Sequence, residues 1–254
     1  MRKIIAVLDT EATPIVPMGE DVDPLKMRVY DVGYIIKDKR TPHVYAERSF
    51  VCGDIMFDPR NYMRSAYYAD KLPKYRAAYN DGGEWTIHSF RDVYKQFRAD
   101  CKEYGITEVW AFNCRFDALA LDATIRDNSN GYIKYFTPYG VKWRDLWRLV
   151  GETITKTARY NEWCYEHGFY SDAGIARTNV ETVTAFLTGD VEFSERHTAL
   201  DDARHKAAIM DYLRHRHYTT PDKWGDGWRS AGNYAKRTGH YVPKDKRPKG
   251  KKKK

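Results

Sequence analysis

Short apolar runs give way to amphipathic stretches along most of the chain. Lys3–Leu8 is a β-branched apolar run ending at Asp9, the pattern of a buried strand whose end presents a polar side chain. Arg28–Lys37 and His43–Cys52 favour extended backbone and flank a KDKRTP turn, predicting a three-stranded antiparallel opening. Between the first two strands, Glu11–Met27 is polar and carries prolines, which predicts a loop at the mouth of any site. In Asn61–Asn80, tyrosines alternate with Arg64, Lys71, Lys74 and Arg76, and Pro73 divides the segment into two short helices.

Phe90, Val93, Tyr94, Phe97, Cys101 and Tyr104 recur at helical spacing, so Ser89–Tyr104 is read as an amphipathic helix with Ser89 as its cap. Glu108–Phe112 is the next strand, Asp117–Arg126 the helix after it, and Val141–Trp143 a last strand leading into Asp145–Leu149. Helical recurrence then covers Thr153–His167, Val180–Leu187 and His197–His217, and stops after Tyr218. Strands first, alternating elements next and helices last is an α/β layout, a mixed β-sheet flanked by helices with no second domain and no repeat.

Composition narrows this picture. The 254 residues are 42% hydrophobic, enough for one sizeable core. No apolar run is long enough to span a membrane, and Ile4–Leu8 is too short for a secretory signal. The four cysteines, Cys52, Cys101, Cys114 and Cys164, form no CxxC pair, which fits reduced thiols in the cytoplasm. The net charge of +8 is uneven: from Lys236 onward ten Lys/Arg face one Asp, while the rest has 33 Lys/Arg against 34 Asp/Glu. Pro243–Lys254 thus reads as a disordered basic arm able to touch phosphates, or as a solubilising tail.

The chemistry lies in carboxylates. Asp9 and Glu11 are one residue apart, so on an extended chain both face one way at the end of the most apolar strand. Asp117 begins a helix just past a second strand, and Asp202 lies five residues after His197 at the start of the last long helix. Clustered anions raise one another's pKa unless a cation joins them. Hard divalent ions suit such oxygen donors, no zinc-site Cys/His spacing exists, and Mg²⁺ or Mn²⁺ is the coherent choice. A pair of ions is standard apparatus for phosphoryl transfer, with His197 free to take a proton from water.

These residues stand in LDTEAT (Leu8–Thr13), NCRFD (Asn113–Asp117) and HTALDDA (His197–Ala203). In that order the three segments resemble the motifs of the DEDDh 3′→5′ exonucleases, a ribonuclease-H-like family that includes proofreading subunits, ribonuclease T and oligoribonuclease. The resemblance implies that Asp9, Glu11, Asp117 and Asp202 hold two ions, that Asp9 bridges them, and that His197 is the general base. Glu11 and Asp202 would favour the ion on the water side and Asp117 the other. The family often reads DTETTG, so Ala12 and Pro14 alter the loop expected to meet the terminal nucleotide. The implied activity is release of nucleoside monophosphates from the 3′ end of single-stranded RNA or DNA. Residues 1–218 would form the exonuclease-like domain, 219–242 an aromatic and basic extension, and 243–254 the tail.

Thr10, Ala12, Asn113, Phe116, Tyr67 and Tyr68 are the candidate substrate contacts. Phe116 reads equally as core, Asn113 as a turn cap, and the tyrosines as a stacking platform or ordinary helix packing. Glu195 and Asp145 are candidates for supporting the site. Two other readings stay open: a catalytically silent nucleic-acid-binding or interaction module, and a structure-selective endonuclease of the same fold. A homodimer also stays open as an assembly state.

Overall fold

The apolar run at the start of the chain becomes the interior of a sheet. The computed structural model describes residues 3–15, 23–66, 69–75, 87–214 and 218–239. Its strands are β1 (Ile4–Pro14), β2 (Met27–Asp38), β3 (Val44–Cys52), β4 (Ile87–His88), β5 (Glu108–Ala111) and β6 (Lys142–Asp145). They form one six-stranded sheet in the order β4-β3-β2-β1-β5-β6. β1 pairs antiparallel with β2 and parallel with β5, and β5 pairs parallel with β6. Strands covered on both faces read as unbroken apolar runs rather than alternating ones, as Ile5–Leu8 does.

The helices are α1 (Gly53–Met56), α2 (Phe90–Tyr104), α3 (Cys114–Asn128), α4 (Leu146–Thr153), α5 (Ala158–Glu166), α6 (Val180–Thr188), α7 (Ala199–Leu213) and α8 (Arg229–Thr238). On one face, Phe90, Val93 and Phe97 of α2 and Ala120, Leu121 and Ile125 of α3 pack with Leu8 and Tyr34. On the other, α4 to α8 cover Ile5, Val7, Ile35 and Trp110. Ser89 caps α2 as the sequence predicts, its hydroxyl accepting from the Asp92 N–H. All four cysteines are free and buried. No helix among the described residues is long and apolar enough to cross a membrane.

Several elements differ from the sequence reading, among them α1 and β4, neither of which it predicted. β1 does not stop at Asp9 but continues to Pro14, because the longer β2 supplies ladder partners as far as Pro14↔Met27. The register shifts between Glu11 and Ala12, so Glu11–Pro14 of the expected loop is strand, and residues 16–22 of that loop lie outside the described residues. The helix expected over Thr153–His167 is two, since α4 ends at Thr153 and Thr157 caps α5 by accepting from the Tyr160 N–H. α7 begins at Ala199, so of the two placements open to His197 it precedes the helix rather than beginning it, its φ of 54° being left-handed. α8 lies where periodicity was not expected. Its stripe of Ala231, Tyr234 and Ala235 is buried where α8 meets α4 and α5, so tertiary packing overrides the weak helix propensity of Gly232 and Asn233. Within Asn61–Asn80 the described residues include 3₁₀ turns at Met63–Ser65 and Ala69–Lys71. Tyr67, Tyr68, Tyr79 and the tail from Pro243 lie outside the described residues.

Candidate active site

Parallel pairing fixes where the polar residues gather. β1, β5 and β6 run the same way, with Val7↔Trp110 and Ala111↔Asp145 as the last partners, so their C-terminal ends share one edge. In α/β sheets that edge is the usual place for a site. Asp9 lies two residues beyond Val7 on β1, with Glu11 on the same face. β5 passes through Phe112 and Asn113 into α3, which carries Asp117 in its first turn. From across the sheet, α7 brings Asp202 in its first turn, with His197 just ahead of it.

Asp9, Glu11 and Asp202 present carboxylate oxygens within 4.8 Å of one another. Glu195, His197 and Asp202 form a second such group. His197 Nδ1 stands 3.9 Å from both Glu195 Oε2 and Asp202 Oδ2. Asp202 Oδ1 is buried and has no hydrogen-bond partner among the described residues. An orphaned carboxylate oxygen beside two more carboxylates fits a hard divalent cation. Asp117 is buried, and its Oδ1 accepts from the Thr10 hydroxyl at 2.9 Å. The cavity over the site is about 510 Å³ and is walled in part by Phe112, Arg177, Glu181, Glu195 and His197. A larger cavity of about 750 Å³ lies between α4 and α8, but its carboxylates, Glu152 and Asp226, are paired with Arg148 and Arg229.

Burial and like charge weight Glu11, Asp117, Glu195 and Asp202 toward the protonated form. Burial, then Asp9, Asp31 and Asp202, raise Glu11 well above the usual carboxylate range. Asp202 is pushed up by burial, Asp9 and Glu195, and Asp117 by burial against the pull of Lys206. Glu195 rises to about 7, chiefly through burial. Lys206 opposes all of these shifts: its ammonium is buried and ion-paired with Asp9 Oδ1. Burial disfavours that charge, yet Asp9, Asp117 and Asp202 together hold it above the ordinary lysine value.

Three residues set the frame behind these groups. Asp31, opposite Glu11 in the β1–β2 register, accepts from the Ala199 N–H at 3.1 Å and the Tyr75 hydroxyl at 2.6 Å, tethering the start of α7 to the sheet. Gly33, opposite Asp9, lets the backbone of Ala199 and Leu200 lie directly on β2. Asp145 accepts from the N–H groups of Asn113 (3.1 Å), Trp147 (2.9 Å), Arg148 (3.3 Å) and Gly225 (2.6 Å), so one carboxylate ties β6 to the turn into α3 and to the segment ahead of α8.

The structure thus brings Asp9, Glu11 and Asp202 together, with Asp117 and His197 at their flanks. Thr10 and Ala12 are strand residues with buried side chains, and the Thr10 hydroxyl is spent on Asp117. Asn113 is exposed in the left-handed region with no side-chain capping bond. Phe116 packs against the core cluster on its face of the sheet. Asp201, next to Asp202, pairs with Arg204. Sequence reasoning missed Lys206, Asp31 and Gly33. Lys206 was signalled by its spacing of four from Asp202, which puts both on one helix face.

No protein-family model and no curated protein matches the chain. Its fold does match solved exonuclease structures. A full-length 3′-exonuclease superposes with a TM-score of 0.57 at 14% identity, covering 89% of each chain. The nuclease domain of 3′hExo, a DEDDh family member bound to rAMP, gives 0.55 at 14% identity over 84% of this chain and 92% of that one. E. coli exonuclease I in its zinc-bound complex with single-stranded DNA gives 0.52 at 13% identity over 85% of this chain. The chain spans about two fifths of the length of exonuclease I, 41% of it. What the likeness establishes is the fold: an α/β, ribonuclease-H-like mixed sheet flanked by helices.

Proposed function

We propose that the chain is a metal-dependent 3′→5′ exonuclease that releases nucleoside monophosphates from single-stranded RNA or DNA. The observation that carries this reading is the Asp9–Glu11–Asp202 oxygen group beside His197, at the strand-end edge of a fold shared with 3′-exonucleases. Asp9, Glu11 and Asp202 are the residues that would hold Mg²⁺ or Mn²⁺. Such an ion supplies Lewis-acid polarisation of the scissile phosphate and makes water a better nucleophile at neutral pH.

The chain's own groups do the rest. His197 accepts the proton of the attacking water, and Glu195, 3.9 Å from Nδ1, orients the imidazole and favours its charged form as the proton arrives. Thr10 fixes Asp117 on the far flank, where the two-ion arrangement of the resemblance would place its second cation. Phe112 and Arg177 on the cavity wall suit a terminal base and a phosphate. The basic stretch from Lys236 adds sequence-independent attraction to longer strands. Neighbours bound to rAMP and to single-stranded DNA support a 3′-terminal nucleotide as the ligand class.

His197→Ala tests the assignment at residue level. The variant should bind Mn²⁺ and a 3′ end as the parent does and turn over about 10²–10⁴-fold more slowly, the usual cost of losing a general base. An undiminished rate overturns the role of His197. A loss of Mn²⁺ affinity as large as that of Asp9→Asn moves it into the ligand set.

A further inference from the structure

The resemblance implies two ions, but the structure places a protein cation inside the carboxylate cluster. Lys206 lies one helical turn after Asp202 on α7, and its side chain is directed at β1 rather than at solvent. It is 4% exposed, and its ammonium pairs with Asp9 Oδ1. Asp9 joins Glu11 and Asp202 in the oxygen group within 4.8 Å, a group to which Asp117 does not belong. Lys206 borders the same cavity as Asp9, Asp202 and His197, and its charge acts on Asp117 as well as on Asp9 and Asp202.

We infer that Lys206 takes the place of a second divalent cation, so that the site holds one Mg²⁺ or Mn²⁺ on Asp9, Glu11 and Asp202 with the ammonium beside it. Three observations converge on this. A lysine is among the side chains least often buried without a paired charge, so its place here answers to the carboxylates around it. An ammonium and a divalent ion sharing one side of Asp9 repel each other, which disfavours a second ion while Lys206 stays. The donors left for a second ion are also poor: Asp117 commits Oδ1 to the Thr10 hydroxyl, and Asp9 commits Oδ1 to Lys206.

The consequence for hydrolysis rests on the exonuclease reading. Water adds to phosphorus as His197 takes its proton, the P–O3′ bond breaks, and the departing 3′ oxygen, on which negative charge grows, takes a proton from solvent. Lys206 supplies fixed positive charge in the cavity it shares with His197 and transfers no proton. The ion count itself does not depend on that reading.

The test is Mn²⁺ stoichiometry, read from the free-ion electron paramagnetic resonance signal during titration, with and without saturating adenosine 5′-monophosphate. The parent and Lys206→Arg should each bind one Mn²⁺ per chain under both conditions. Lys206→Met keeps the length and removes the charge, and it should bind two. Two ions in the parent, or one in a folded Lys206→Met, overturns the inference. If Lys206→Met does not fold, the parent's count decides: one supports the inference and two reverses it. A parent that binds one ion yet releases no nucleotide removes the exonuclease reading and leaves this inference standing. A parent that degrades strands from the 3′ end with two ions bound does the opposite.

Discussion

Gly33→Ala is a change of one methyl group in the middle of β2, far along the chain from every carboxylate of the site except by register. A Cβ at Gly33 would lie 2.1 Å from Leu200 N, 2.3 Å from the Ala199 carbonyl carbon and 2.4 Å from Leu200 Cα. Non-bonded carbon atoms rest about 3.5–4.0 Å apart, so the start of α7 must retreat by roughly 1 Å or more. The obstructing atoms are backbone, which leaves no side chain to rotate away. Retreat stretches the 3.1 Å bond from the Ala199 N–H to Asp31 beyond hydrogen-bonding distance and carries His197 and Asp202 with it. Asp9 and Glu11, held in the β1–β2 ladder, stay behind.

Misplacing reacting groups by about 1 Å costs on the order of 10²-fold in rate, and overpacking costs about 1–3 kcal/mol of stability. For a domain near this size each kcal/mol shifts Tm by about 2–4 °C. Turnover on a labelled oligonucleotide, Mn²⁺ affinity and a thermal melt should all move for Gly33→Ala. Parental turnover together with an unchanged Tm would refute the claim that the close β2–α7 approach sets the site.

Two further predictions come from charge and hydrogen bonding. In EDTA the folded chain should lose stability as pH rises from about 4.5 to about 7, because Glu195 is raised to about 7 and Asp31 to about 6. Raised carboxylate pKa values stabilise the fold below the unfolded values and withdraw that support as pH climbs through the folded ones. Melts at stepped pH with and without saturating Mn²⁺ check this, and a Tm that stays flat or rises in EDTA across that window contradicts it. Asp145→Ala leaves four backbone N–H groups without their acceptor. At about 1–3 kcal/mol for each that stays buried, urea unfolding should show a loss of several kcal/mol, and a loss below about 1 kcal/mol would show that water replaces the carboxylate.

The parts of this fold legible in the sequence are those where local pattern and tertiary role agree. Ile4–Leu8 is apolar because it is central, and the helical recurrence of Phe90, Val93, Phe97 and Cys101 matches the buried face of α2. The order and spacing of Asp9, Glu11, Asp117, His197 and Asp202 told which residues to bring together, since strand ends and helix starts fix their directions. The rest depends on partners far along the chain. β1 extends through polar residues only because β2 is long enough to pair them. α8 follows a stretch of turn residues, and its Ala231, Tyr234 and Ala235 stripe is buried only because α4 and α5 lie against it. Lys206 looks like one more surface cation until α7 is laid over β1, and Gly33 looks like any strand glycine until the Ala199–Leu200 backbone is placed on it.

In the proposed function, clustered carboxylates and His197 cut a strand inward from its 3′ end with the help of a divalent ion. The most direct measurement uses one single-stranded oligonucleotide labelled at the 3′ end or the 5′ end, with the 3′ end free or blocked, incubated in Mg²⁺ or Mn²⁺ and in EDTA. The expected result is early release of the 3′ label as a mononucleotide, a 5′-labelled ladder shortening one nucleotide at a time, protection by the 3′ block and silence in EDTA. Internal fragments from the blocked strand, or full activity in EDTA, would contradict it.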